Sequence, residues 1–178
     1  FNLSKLSIPL TILFILLFLN ALNMFDGIDM QVSIYFLIIL IFLTIKFNIL
    51  YLLYFSPVII LSCIYNIKKK LFLGDSGTNV ISIIISWIII KNYNFNNLFF
   101  CEEIFLIMII PGLDMFRLFC IRIINGKNPF KADKKHLHHL LLVKFSYLKT
   151  FIYIQSLILF PIIFYFFSQK IIHSIILS

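Results

Sequence analysis

The sequence predicts an all-α protein, a polytopic bundle of about six transmembrane helices whose polar loops gather on the cytoplasmic face. Three observations support this prediction. Of the 178 residues, 62% are apolar and only 12% are charged; apolar stretches long enough to cross a bilayer recur along nearly the whole chain; and basic residues concentrate in two of the intervening segments. So apolar a composition excludes an ordinary soluble domain, and residues 1–178 are expected to form a single transmembrane domain.

The expected spans are the apolar stretches of the chain, with boundaries good to a few residues: 6–22, 32–45, 47–65, 80–90, 98–119 and 151–167. The second and fourth are short, so they need a thin local bilayer or a helix that extends into the adjoining loops. Ser56 and Pro57 predict a kink in the third span.

The basic residues predict the orientation, because short loops rich in Lys and Arg stay in the cytoplasm. Segments 66–79 and 117–149 contain 11 of the 15 Lys and Arg residues. With alternating spans, both segments share one face with segment 20–30. The net charge of +8 is then explained by topology and by attraction to anionic lipid headgroups. A nucleic-acid partner is not expected, because no soluble domain presents a basic surface.

The first polar cluster occupies residues 20–29 and spaces Asn20, Asn23, Asp26 and Asp29 three residues apart. If the helix continues through them, neighbouring members lie close together on its surface. Carboxylate and amide oxygens suit a hard cation such as Mg²⁺. The alternative is a solvated helix end that stops at Gly27.

The second cluster, residues 74–79, places Asp75 between two glycines immediately before an apolar helix, with Ser76 or Thr78 as a possible cap. Helix N-termini attract phosphate, so a metal-binding Asp75 there is well placed for a diphosphate. An ordinary capped turn is the alternative.

The third cluster runs from Arg122 through Lys127 to three histidines, His136, His138 and His139. Zinc fits poorly, because no cysteine or spaced fourth ligand accompanies them and adjacent histidines do not easily share one tetrahedral metal. Phosphate or nucleotide contact fits better, since imidazole donates to phosphate oxygens and Arg and Lys supply fixed positive charge. The other lysines of this segment are equally consistent with a structural loop at the headgroups.

The three clusters together carry a family resemblance. NALNMFDGID at residues 20–29 resembles the Asn-rich, DG-containing motif of the polyprenyl-phosphate N-acetylhexosamine-1-phosphate transferases, part of the glycosyltransferase 4 family. LFLGDSGT at 71–78 resembles their GD-[ST/A]-G-[ST] motif, and PFKADKKHLHH at 129–139 is similar to their PF-x-x-D-x-x-HIHH loop. Met30 stands where the family usually has glycine. The match is closer to the N-acetylglucosaminyl branch than to the branch that builds the peptidoglycan precursor.

The resemblance implies transfer of N-acetylglucosamine 1-phosphate from a UDP-sugar to undecaprenyl phosphate, with release of UMP, in one step or through an enzyme-bound phosphate. It implies a multi-pass enzyme of the bacterial cytoplasmic membrane whose active-site loops face the cytoplasm and which initiates a cell-envelope polysaccharide such as the lipopolysaccharide O-antigen. Family members are about twice as long and carry an upstream Asp-rich motif. The chain is therefore expected to be the C-terminal half of a longer protein and to be inactive alone.

The resemblance also implies the roles of individual residues. Asp75 and Asp26 are expected to hold Mg²⁺, with Mn²⁺ as an alternative, while Asp29 supports the donor site. Asp26, Asp29, His138 and His139 are expected to be catalytic. Five residues are expected to contact the phosphates and the nucleotide: Asn20, Asn23, Arg122, Lys127 and His136.

Three other functions remain open at this stage. One is a phospho-N-acetylmuramoyl-pentapeptide transferase-like activity in peptidoglycan synthesis. Another is a transporter, which would place ionisable side chains at mid-depth and open a cavity to alternating sides; Asp114 is the residue nearest to that pattern. The last is a non-catalytic membrane partner, which would have little need of three intact motifs.

Overall fold

The computed structural model describes residues 6–94, 100–128 and 135–176, and in the last helix it describes side chains as far as Ser168. These residues form helices and connecting turns, with no strand among them, which confirms the all-α prediction. In chain order the elements are α1 (Ser7–Phe25), α2 (Gln31–Phe47), a 3-10 helix (Leu50–Phe55), α3 (Ser56–Ile67), α4 (Gly74–Asn94), α5 (Cys101–Ile124), α6 (Leu137–Lys144) and α7 (Tyr147–Ile176).

Within the described residues, 4 helical stretches are long and apolar enough to cross a membrane: Ser7–Phe25, Leu50–Ile67, Cys101–Ile124 and Tyr147–Ser168. Helix α2 is also apolar but has only 17 residues. Helix α4 contains the predicted stretch 80–90 and begins at Gly74, well before it. Every predicted stretch therefore includes helix, while six crossings and a cytoplasmic orientation stay predictions.

The third predicted span is divided between two helix types at the place where a kink was expected. The 3-10 helix ends at Phe55, and α3 begins at Ser56 with Pro57 in its first turn. Proline is tolerated there because the first turn of a helix has no internal acceptor for its N–H groups. The Ser56 hydroxyl donates to the carbonyl of Leu53 at 2.7 Å, which joins the two pieces.

The core lies where α1 packs against α4 and α5, and where α2 packs against α3 and α7. Phe18 and Leu22 of α1 and Ile39 of α2 are fully buried. The buried Tyr35 hydroxyl donates to the carbonyl of Ile107 at 2.8 Å. Pro111, four residues later in α5, has no N–H to donate to this carbonyl, so Tyr35 supplies the missing hydrogen bond. Large apolar side chains cover much of the outer surface, as lipid contact requires; among them are Ile8, Val58, Phe116 and Phe160.

The alternating helices give the bundle two ends of different character. We call the end that holds the C-termini of α1 and α5 and the N-termini of α2, α4 and α7 the polar end. There the Met30 N–H donates to the Asn66 side chain at 3.0 Å, and the Tyr147 hydroxyl donates to the carbonyl of Asp29 at 3.2 Å. The other end, which we call the opposite end, holds Lys46 at the C-terminus of α2.

The first polar cluster is not one continuous helix. Helix α1 ends at Phe25, Asp26 is its C-cap, and the chain turns through residues 27–30 before α2 begins. Met30 adopts a left-handed conformation with φ of 65°, which glycine adopts more readily than methionine does. The three-residue spacing therefore does not form the expected helical strip, and the alternative of a helix end near Gly27 describes the backbone better.

Candidate active site

The first and second polar clusters are joined by hydrogen bonds between side chains. Asn23 on α1 donates from Nδ2 to the Asn79 Oδ1 atom on α4 at 3.1 Å, and the Thr78 hydroxyl donates to Asn23 Oδ1. Thr78 is fully buried one turn inside α4, so the expectation that it caps the helix is not met. It holds the two helices together instead.

The first and third clusters meet at Gly27. A Cβ atom built on Gly27 would lie 1.9 Å from Nε2 of His138, far inside van der Waals contact. The imidazole ring therefore packs directly on the Gly27 backbone, and no larger residue fits without moving the ring or the turn.

A cavity of about 620 Å³ lies between α1, α5 and residues 135–139, which carry the three histidines and which we call the histidine segment. Seven of its lining residues are site residues predicted from the sequence: Asn20, Asn23, Asp26, Arg122, His136, His138 and His139. The rest of the wall is Gly27 and the apolar side chains Leu17, Met24, Met115, Phe116 and Phe119. The cavity thus combines a polar surface with an apolar wall.

The carboxylates at this end repel one another. Partial burial, followed by the negative charges of Asp75 and Asp29, raises the pKa of Asp26 to about 6. These three carboxylates therefore form a small negatively charged group at the polar end, and a cation bound there would relieve their repulsion.

The three histidine rings lie close together, with His136 and His138 stacked and His139 tilted by 53° against both. The ring centroids of His138 and His139 are 4.2 Å apart, and those of His136 and His138 are 5.6 Å apart with parallel planes. Burial, followed by the neighbouring His139 and His136, lowers the pKa of His138 to about 4. At neutral pH His138 is an uncharged imidazole that can donate or accept a hydrogen bond but carries no fixed positive charge.

Three of the predicted site residues do not line the cavity. Asp75 is exposed in the first turn of α4, and Asp29 lies in the turn after α1; both act on Asp26 through their charge. Lys127 is exposed beyond the end of α5, and its substrate contact stays a prediction. The Pro129-Phe130 and Asp133 positions of the third motif lie outside the described residues.

Several polar residues of the site were missed from the sequence, namely Thr78, Asn79, Asp114 and Arg117. Asp114 accepts hydrogen bonds from Arg117 and from the histidine segment. A lone carboxylate inside an apolar stretch needs a partner, and this signal could have found it. Thr78 and Asn79 carry no such signal, because small polar residues are common in helix ends.

The carboxylates suit a magnesium site that a substrate completes. In the described part of the chain no group of three His, Cys, Asp or Glu side chains is arranged to hold a metal ion. Mg²⁺, however, is usually bound by one or two carboxylates together with phosphate oxygens and water. The mutual repulsion of Asp26 and Asp75 fits such an ion, so these residues are compatible with it.

The fold and the cavity define an integral membrane protein with a carboxylate- and histidine-lined cavity at one end of a helical bundle. The family model for glycosyl transferase family 4 matches residues 1–93, just over half of the sequence, and the chain belongs to this family. The match includes the first two clusters and ends before the histidine segment.

Comparison with curated relatives agrees with this family. The chain is 34% identical over 79 residues to undecaprenyl-phosphate alpha-N-acetylglucosaminyl 1-phosphate transferase of Haemophilus influenzae, a match that covers 42% of this chain and 21% of the relative. The enzymes with the same name are 34% identical over 80 residues in Pasteurella multocida and 30% identical over 76 residues in Escherichia coli K12, with the same coverage. The chain thus matches about a fifth of each relative's length. No solved structure matches the chain.

Proposed function

We propose that this protein transfers an N-acetylhexosamine 1-phosphate, with N-acetylglucosamine as the sugar, from a UDP-sugar to undecaprenyl or another polyprenyl phosphate and releases UMP. The observation that supports it best is the convergence of three separate polar segments at one end of an apolar bundle. The names of the relatives state undecaprenyl phosphate and the transfer of N-acetylglucosaminyl 1-phosphate, which agrees with the proposed acceptor and the proposed transferred group. The reaction would take place at the cytoplasmic face of a bacterial inner membrane and initiate a cell-envelope polysaccharide such as O-antigen.

The form of the cavity suits the acceptor. A polyprenyl phosphate has a charged head and an apolar chain, and the cavity has a polar surface next to an apolar wall that includes Leu17, Phe116 and Phe119. Because the outer surface of the bundle is apolar, the lipid could reach the cavity without leaving the membrane.

The charges suit phosphoryl transfer, in which an oxygen of the lipid phosphate attacks the sugar-linked phosphorus and the bond to the UMP oxygen breaks. Most of the catalysis in such reactions is positioning and charge stabilisation. Asp26 and Asp75 would hold Mg²⁺, which when bound supplies positive charge beside the phosphates. The same residues could also bind Mn²⁺.

The other side chains would act on the donor. Arg122 lines the cavity and would bind a phosphate through its guanidinium. His138 and His139 would donate hydrogen bonds to the phosphates, with His138 uncharged. Asn20 and Asn23 offer amide groups along the same wall, and Asp29 adds negative charge beside Asp26.

The test is the transfer of radiolabelled sugar phosphate from UDP-N-acetylglucosamine into a lipid extract by the complete gene product in membranes. Asp75→Asn should lower transfer by about a hundredfold or more, as expected when one charged group that stabilises a transition state is lost. The matched control is Glu102→Gln, which removes an exposed carboxylate at the opposite end and should leave transfer unchanged. Transfer by Asp75→Asn within about threefold of wild type, a barrier change below roughly 1 kcal/mol, would refute the metal role.

A further inference from the structure

Asp114 fastens the histidine segment to α5. Its side chain is only 5% exposed and accepts from Arg117 Nη2 at 2.8 Å and from Arg117 Nε at 3.2 Å. It also accepts from Nδ1 of His136 at 3.2 Å and from the Leu137 N–H at 3.1 Å. Arg117 in turn donates to the Lys135 carbonyl at 2.6 Å.

These contacts restrain the segment on both sides of His136. The Leu137 N–H belongs to the first turn of α6, where backbone donors have no partner within the helix and a negative charge is favourable. The Arg117 contact holds the residue before His136, and the Asp114 contact holds the residue after it. The His136 ring therefore has little freedom to turn.

The direction of the His136 hydrogen bond follows from chemistry. An ionised carboxylate can only accept hydrogen bonds, and two donors of one guanidinium converge on this one. The proton in the contact must therefore be on Nδ1 of His136. Because the other ring nitrogen is then the free one and His136 lines the cavity, Nε2 is the atom available to a ligand.

We propose that Asp114 is a positioning residue, which fixes His136 with its proton on Nδ1 and presents Nε2 to the cavity as a hydrogen-bond acceptor for a hydroxyl of the donor sugar. The effect of Asp114 on catalysis rests on the proposed function, whereas the predicted tautomer of His136 does not. The arrangement follows the general rule that a carboxylate on one imidazole nitrogen sets the tautomer and orientation of the other. Asp114 itself touches no substrate.

The proposal predicts a spectroscopic signature. In protein labelled with ¹⁵N-histidine, the nitrogen resonances of neutral His136, assigned by their loss in His136→Gln, should show a protonated Nδ1 and an unprotonated Nε2. In Asp114→Asn the new amide can donate to Nδ1, and the proton should move to Nε2. The matched control Arg117→Gln loosens the segment without changing the acceptor at residue 114, so the proton should remain on Nδ1.

Kinetics give the second measurement. Asp114→Asn should lower kcat about tenfold or more with little change in KM, the size of effect usual for a residue that orients a functional histidine. In a His136→Gln background the same change should have little further effect.

The outcomes distinguish a positioning role of Asp114 from a purely structural role. A protonated Nε2 in the wild type overturns the proposal, even if Asp114→Asn does not fold. An unchanged His136 tautomer in folded Asp114→Asn would also overturn the proposal, as would an equal loss of kcat in Asp114→Asn and Arg117→Gln. Either result would mean that Asp114 only holds the histidine segment on α5. The expected tautomers in a protein that transfers no sugar phosphate would support the positioning role while the proposed function failed.

Discussion

Two carboxylates, Glu103 at the opposite end of the bundle and Asp26 at the polar end, lie in opposite electrostatic surroundings. At the opposite end the carboxylate of Glu103 lies 2.6 Å from the Lys46 ammonium and accepts from the Tyr165 hydroxyl, joining α5, α2 and α7. At the polar end partial burial raises the pKa of Asp26, and the like charges of Asp75 and Asp29 act in the same direction.

The difference distinguishes a structural site from a ligand site. Opposite charges that neutralise each other inside the protein hold helices together, and removing only one of the two is costly. Like charges held close together destabilise the folded protein until a cation or a protonated group offsets them. The opposite end is therefore expected to control stability, and the polar end to control activity.

The largest expected effect is at the opposite end. Lys46→Met leaves the Glu103 carboxylate, only 2% exposed, without its ammonium partner. We expect a loss of about 3 kcal/mol in the free energy of unfolding, the lower end of the range for a broken buried pair. Unfolding in detergent mixtures measures it, and transfer activity per folded molecule should remain near wild type.

The matched control for that prediction is the double variant Lys46→Met/Glu103→Gln, which removes both charges and should recover much of the lost stability. If Lys46→Met abolished transfer in fully folded protein, the division between a structural end and a functional end would be wrong.

A smaller effect is expected where the polar end is packed most tightly. Gly27→Ala places a methyl group against the His138 ring, so the ring or the turn must shift, and transfer should fall about tenfold, or 1.4 kcal/mol of barrier. Gly112→Ala is the control, because the nearest atom to its Cβ would be Met108 Cβ at an ordinary 3.9 Å. Equal activity of the two variants would contradict the close contact at Gly27.

The smallest expected effect is a pH dependence of stability that belongs to His138. Because the pKa of His138 in the folded protein, about 4, lies below its ordinary value of 6.5, the unfolded chain binds more protons between these values. This contribution to stability is present above pH 6.5 and is lost as the pH falls toward 4. When the pH is lowered from 7 to 5, the Tm of the wild type should therefore fall by a few degrees more than the Tm of His138→Gln.

A Tm difference that is independent of pH would mean that His138 titrates normally. Comparing the two proteins at each pH is essential, because Asp26 titrates in the same range with the opposite sign. Its pKa is raised, so ionisation of Asp26 lowers stability as the pH rises from 4 to 6 in both proteins.

The helices and the grouping of the polar segments could be predicted from the sequence because both depend on simple periodic or compositional signals. Apolar stretches require helices in a membrane, and alternation of spans places every second loop on the same side. The presence of helix at every predicted stretch follows from the first rule. The meeting of Asn23 with Asn79, and of Gly27 with His138, agrees with the second.

Local geometry could not be predicted in the same way. The start of α4 at Gly74 and the end of α1 before Asp26 depend on turn conformations and tertiary contacts, whereas Ser56 and Pro57 marked the division of the third stretch in the sequence itself. Asp114 was visible as a carboxylate in an apolar stretch, but its partners, Arg117 and the histidine segment, depend on how a distant loop folds back. Contacts of this kind carry no periodicity that a single sequence would show.

The central claim is that the histidine segment and the first polar cluster line one cavity, and intramolecular cross-linking tests it most directly. In a protein whose native cysteines at 63, 101 and 120 are replaced by alanine, Asn23→Cys and His139→Cys should be joined by a short bis-maleimide, detected as a linked peptide by mass spectrometry. As the control, His139→Cys is combined with Lys91→Cys. Residue 91 lies 12 residues beyond Asn79 on α4, about 18 Å farther along the helix axis, so this pair should not be linked. Efficient linkage of the first pair alone is the predicted result; equal linkage of both pairs, or of neither while each single cysteine is labelled, would contradict the account.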